Sequence, residues 1–213
     1  MTPRTTERVL IDGPAGPLEV VLNTPEQPPV GLALIAHPHP LQGGTLDNKV
    51  VTTLAKTFFN LRYVAVRFNF RGVNQSAGMF DEGVGETDDA ASVLAYARER
   101  FGESLPFALA GFSFGSFVMT RLAKRVSAER LVLVAPAVQR FAVETVPEDT
   151  IVIHGEQDDV VHLADVFDWA RPQHLPIIVF PGTGHFFHGR LQPLARIVTA
   201  LWHHRASSSD GNS

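Results

Sequence analysis

Gly111-Phe112-Ser113-Phe114-Gly115 has the residue types and spacing to hold a serine nucleophile at a sharp turn. The apolar run Leu105-Pro106-Phe107-Ala108-Leu109-Ala110 before it has strand length. After it, Val118, Leu122 and Val126 recur at helical spacing, with Lys124 and Arg125 predicted in the last turn. That strand-turn-helix context is what a nucleophile elbow requires, and the two flanking glycines remove side chains that would collide in the cramped turn. A serine hydroxyl attacks poorly until a neighbouring base takes its proton, so a histidine and an orienting acid are needed. Two stretches offer them. The run 151–154 leads into Gly155-Glu156-Gln157-Asp158-Asp159, and 177–180 leads into Pro181-Gly182-Thr183-Gly184-His185, with His188 close by.

These residues need a frame that brings distant segments together. Val9-Leu10-Ile11 and Leu18-Glu19-Val20-Val21-Leu22, separated by Gly13-Pro14-Ala15-Gly16, read as an antiparallel hairpin. Continuous apolar runs follow at 30–36, 63–68, 107–110, 131–134, 151–154 and 177–180, a pattern suited to parallel strands covered on both faces. Helical spacing appears at Val50, Val51, Leu54, Ala55 and Phe58, at Val93, Leu94, Ala97 and Phe101, and across 163–171 and 191–204. Glu86, Asp88 and Asp89 fall where negative charge favours a helix start. The alternation predicts an α/β fold: a doubly wound, mostly parallel sheet of about eight strands with helices on both faces. In such sheets the ligand crevice lies beyond the carboxyl ends of the strands, where both stretches fall. One domain is expected over 1–206, with a polar, disordered tail at 207–213.

Composition narrows the function classes. The chain has 213 residues, 45% hydrophobic and 19% charged, with a net charge of -4, so it carries no nucleic-acid signature. It has no cysteine, which removes disulfides, thiolate metal sites and a cysteine nucleophile. No apolar run approaches the roughly 20 residues of a membrane span, and the first residues lack the apolar core of a signal peptide. The expectation is a cytoplasmic protein acting on a small molecule, without nucleic-acid or membrane partners. Its oligomeric state is not legible.

The serine, acid, histidine order and its surrounding segments resemble the α/β-hydrolase superfamily. Ala36-His37-Pro38-His39-Pro40, Arg71-Gly72-Val73-Asn74-Gln75-Ser76-Ala77-Gly78 and Gly184-His185-Phe186-Phe187 extend the likeness, which runs from Ile35 to about His188. Together with Gly43-Gly44 and Asn48-Lys49, they look like small bacterial serine hydrolases without a cap domain. The chain departs from that pattern at Asn74, where members often carry glycine. The resemblance implies Ser113 as nucleophile and His185 as base. Its His-Gly-x-x-Asp-x-x-Val pattern falls on His154, Gly155, Asp158 and Val161, which selects Asp158 as the orienting acid. Asp159 and Glu156 are then expected to face water, and His154 to support a turn.

The oxyanion hole is expected to use the backbone N–H of Phe114 and one from the loop after the third strand. Pro38 and Pro40 have no N–H, which leaves His39 or Leu41, and the resemblance favours His39. Of Phe112, Phe114, Phe186 and Phe187, which flank the candidate catalytic positions, one or two are expected to line an apolar pocket, with Leu41 a further lining candidate. His37 and His39 have a metal-ligand spacing, but no carboxylate cluster lies near them in sequence, so neither metal nor cofactor is expected. Arg71 is expected to form a structural ion pair or a loop hydrogen bond. About 16 residues separate Val134 from Ile151, too few for a cap, so the site should be open and shallow. The resulting expectation is an esterase acting through an acyl-enzyme, with activity rising with pH as the base loses its proton. Thioesterase, small peptidase and a non-catalytic binding protein are the alternatives.

Overall fold

The computed structural model describes residues 5–206; residues 207–213, expected as a tail, lie outside the described residues. The strands are β1 (Thr5–Gly13), β2 (Gly16–Thr24), β3 (Gly31–Ala36), β4 (Tyr63–Phe68), β5 (Phe107–Phe112), β6 (Arg130–Val134), β7 (Ile151–Gly155) and β8 (Ile177–Phe180). They form one sheet in the order β1-β2-β4-β3-β5-β6-β7-β8. The β1–β2 and β2–β4 pairings are antiparallel and the rest parallel, so the expected mostly parallel sheet is present.

Every residue of β3, β4 and β5 is buried, and alternation divides each strand between two apolar layers. Leu32, Leu34, Val64, Val66 and Leu109 face one layer, closed by helices α2 (Val84–Phe101), α3 (Phe114–Ala123) and α4 (Leu163–Ala170). Ala33, Ile35, Ala65, Ala108 and Ala110 face the other, closed by α1 (Lys49–Asn60) and α5 (Leu191–Ala206).

The helix ends explain how two departures from periodicity arise. Helix α3 stops at Ala123, so Lys124 and Arg125 lie past its last turn. There Lys124 and Arg125 donate to Arg121 and Leu122 carbonyls three residues back, which tightens the turn and still buries part of Val126. Of the three acids expected at the start of α2, Glu86 alone lies in the first turn, and each of the three has a specific partner. Buried Glu86 accepts from the Asp81 and Gly83 amides, while Asp88 pairs with Arg125. Asp89 takes the Arg71 guanidinium in a two-pronged bond, Nε to Oδ2 at 3.0 Å and Nη2 to Oδ1 at 2.8 Å. This buried pair clamps the loop after β4 onto α2. Asn74 in that loop sits at φ 48°, a left-handed conformation that glycine adopts freely and asparagine tolerates. The segment between β6 and β7 has no helix or strand, so no cap covers the sheet's carboxyl edge.

Candidate active site

Ser113 lies between β5 and α3 with φ 56° and ψ -116°, a conformation that side chains rarely adopt. The neighbouring glycines are required by space. A Cβ on Gly111 would come within 2.4 Å of the Gly115 carbonyl carbon, and one on Gly115 within 2.4 Å of the Ala36 oxygen. The Ser113 amide donates to Val134 of β6 at 2.9 Å, and the Ser116 hydroxyl bonds the Gly111 and Val134 carbonyls. The turn is therefore tied to two strands, and the serine cannot swing away with its backbone.

The loops after β7 and β8 bring the acid and the imidazole to that turn. His185 Nδ1 donates to Asp158 Oδ2 at 2.7 Å, and its Nε2 lies 3.2 Å from Ser113 Oγ. Asp158 Oδ1 accepts the Val160 and Val161 amides at 2.9 and 2.8 Å. Burial pushes the Asp158 carboxyl up, but the bond and charge of His185 and the Val161 amide outweigh it. The net pKa is lowered, so the carboxylate stays ionised and acts as an acceptor. All three residues are buried. Asp159 and Glu156 are exposed, and Glu156 accepts the Gly182 amide. His188 is exposed in the turn ahead of α5.

His154 has a larger part in this arrangement than a turn residue. It sits at the end of β7, fully buried, and its Nε2–H donates to the Val161 carbonyl at 2.8 Å while lying 3.4 Å from Asp158 Oδ2. The ring thus closes the acid loop over both ends of Asp158. Burial lowers its pKa despite the Val161 bond and the Asp158 charge, so it is held neutral.

The loop after β3 is fixed by His37. Its Nε2 accepts the Phe70 amide at 3.0 Å, so Nδ1 carries the proton and meets the Pro38 oxygen at 2.6 Å. Next along, the Leu41 amide donates to the His39 ring at 3.2 Å. Among the described residues the Phe114 and His39 amides have no acceptor. The rings of His37 and His39 are thus engaged separately, and no three acidic or histidine side chains group as metal ligands among the described residues.

The pocket lining corrects part of the sequence reading. Phe112 and Phe187 are fully buried in the α1/α5 layer and cannot line the cavity. Phe112 lies beneath His185 with ring centres 5.0 Å apart, and Phe187 packs on Phe180. Phe112 is the last residue of β5 and points to one face, whereas Phe114 lies beyond the turn and reaches the other. Leu41 is 73% exposed, its backbone committed to His39, and Phe186 stands edge-on to His185 at the surface. Of the four expected aromatics Phe114 lines the cavity beside Ser113, together with Phe141, Val160 and Val161, and with Gln42, Gln139 and Arg140 as polar members. Its volume is about 20 Å³, room for one or two waters. Phe141, Gln139 and Arg140 come from the segment between β6 and β7, which carries no periodic pattern. The rule placing ligand crevices beyond strand carboxyl ends was the available signal. A larger cavity of about 490 Å³ between α1, α5 and the β1–β2 edge contains none of the candidate catalytic residues. Among the described residues, no helix is long and apolar enough to cross a membrane.

Comparison with known proteins agrees with this architecture. The sequence model of the X-Pro dipeptidyl-peptidase (S15) family matches residues 12–146, a span that includes Ser113 but neither Asp158 nor His185. An α/β serine hydrolase homologue from Coxiella burnetii is 39% identical, with 94% of this chain and 97% of that one covered and a TM-score of 0.85. XC6422 from Xanthomonas campestris, an α/β serine hydrolase without a lid, is 36% identical, covering 95% and 94% of the two chains, also with a TM-score of 0.85. Uncharacterized protein RP471 of Rickettsia prowazekii is 28% identical over 90% of this chain and 86% of its own length. The chain belongs to the X-Pro dipeptidyl-peptidase (S15) family of the α/β-hydrolase superfamily, and within that superfamily to the lidless serine hydrolases.

Proposed function

We propose that this hydrolase cleaves carboxylic esters through an acyl-enzyme formed on Ser113. The observation that carries the reading is the continuous relay from Asp158 Oδ2 through His185 to Ser113 Oγ, at 2.7 and 3.2 Å. As Ser113 Oγ bonds to the ester carbonyl carbon, His185 Nε2 takes the hydroxyl proton, and Asp158 orients and balances the imidazolium. The Phe114 and His39 amides receive the oxyanion; losing one such donor costs about 10²–10³ in kcat. His185 then protonates the departing alkoxide as the carbon–oxygen bond breaks. Water enters by the reverse proton path, releasing the acid and restoring Ser113.

The same relay can open a thioester or an amide. The family match gives the peptidase reading specific support. The shallow cavity and uncapped edge support the ester reading, since small activated esters need little enclosure. A panel of p-nitrophenyl esters of increasing acyl length, acyl-CoAs and Ala-Pro p-nitroanilide separates the three. Highest kcat/KM on a short-acyl ester is the expected result; highest kcat/KM on the anilide or a CoA thioester would contradict it.

A further inference from the structure

The cavity lining carries the ester reading one step further, to the class of ester. Arg140 is the one ionic residue among those lining the cavity apart from the histidine at its edge, and no carboxylate lines it. Its guanidinium is exposed and makes no hydrogen bond or ion pair among the described residues. The backbone that carries it is held more firmly. Arg140 and Phe141 amides both bond the Ala137 carbonyl, and the Phe141 ring stacks on Phe117 at 4.7 Å and meets Phe114 at 5.0 Å. The result is a long cationic arm rooted beside the nucleophile, its head free in water.

Among the described residues no carboxylate pairs with that cation. Asp165 is occupied by the Gln139 amide, and Asp158 is buried within the relay. The Arg140 field also reaches the oxyanion loop, where it adds to burial in lowering the His39 pKa. With room for only one or two waters at Ser113, most of a substrate must project outward past this loop. Gln42 and Gln139 add amide groups but no opposing charge.

We propose that the preferred substrates are esters bearing a carboxylate a few bonds from the scissile carbonyl, received by the guanidinium of Arg140. Arg is suited to this by its planar, two-pronged geometry toward carboxylates. The inference rests on the ester reading.

Two matched pairs test it: mono-p-nitrophenyl succinate against p-nitrophenyl butyrate, and 4-acetoxybenzoate against 4-acetoxybenzamide. They place the carboxylate on the acyl and leaving-group sides. The wild type should favour the anionic member of at least one pair roughly fivefold to tenfold in kcat/KM at low salt, with the ratio shrinking as salt screens the charge. Arg140→Gln should bring the ratio near one and Arg140→Glu should invert it. Because Arg140 is exposed, matched thermal melts of the variants show that the fold is retained. A ratio near one in the wild type, or one that survives Arg140→Glu, overturns the inference while leaving the ester reading standing. A wild type that hydrolyses none of the four esters overturns both.

Discussion

Asp158 and Asp159 differ by one position, yet only one carboxylate is in reach of an imidazole. Asp158 accepts two backbone amides, and His185 donates to it; Asp159 is exposed. Replacing Asp158 by asparagine removes the negative charge and favours the wrong imidazole tautomer. By analogy with other triads this should lower kcat by about 10⁴. Asp159→Asn should change it little. Ester hydrolysis by the two purified variants checks this, and a larger loss at Asp159 would reassign the acid. Sequence spacing alone left three carboxylates open in this stretch, and the choice needed the wider family pattern. The aromatic residues show a different limit: nearness to Ser113 along the chain says nothing of orientation. Phe112 and Phe114 sit on opposite sides of the turn and enter opposite layers of the core.

Strands and helices were legible wherever burial imposes a period. Residues 32–36 alternate between two apolar layers, so β3 must be apolar throughout, and the run is visible without coordinates. The segment between β6 and β7 is held by stacking of Phe141 and a few turns, which leaves no period to read. Its place in the cavity wall was accordingly missed. The clamp between the β4 loop and α2 supplies a test at this scale. Arg71→Ala leaves Asp89, whose side chain is fully buried, without its cation. Breaking such a pair costs about 3–5 kcal/mol, whereas replacing both members by apolar residues is often neutral. Urea unfolding should therefore show Arg71→Ala strongly destabilised and Arg71→Met with Asp89→Leu largely restored. Equal losses in the two would place the clamp's contribution elsewhere.

For the whole molecule, the buried imidazole of His37 couples stability to acid. Burial lowers its pKa from 6.5 to about 4, and the Phe70 amide already occupies the nitrogen that would take the proton. Between those values the unfolded chain binds a proton that the native chain refuses, so stability falls as pH drops through the window. The loss amounts to roughly 3 kcal/mol at its acid end. Urea midpoints at pH 7.5 and 4.5 should thus separate more widely in the wild type than in His37→Gln. Parallel behaviour would mean that His37 is not the proton-linked group.

Every proposed step depends on Ser113 being a nucleophile made reactive by His185. Fluorophosphonate labelling followed by intact and peptide mass measurement tests it most directly. One adduct per chain is expected, on the peptide containing Ser113, absent in Ser113→Ala and slowed by orders of magnitude in His185→Ala. An adduct on another residue, or a folded wild type that takes up no label, would contradict it.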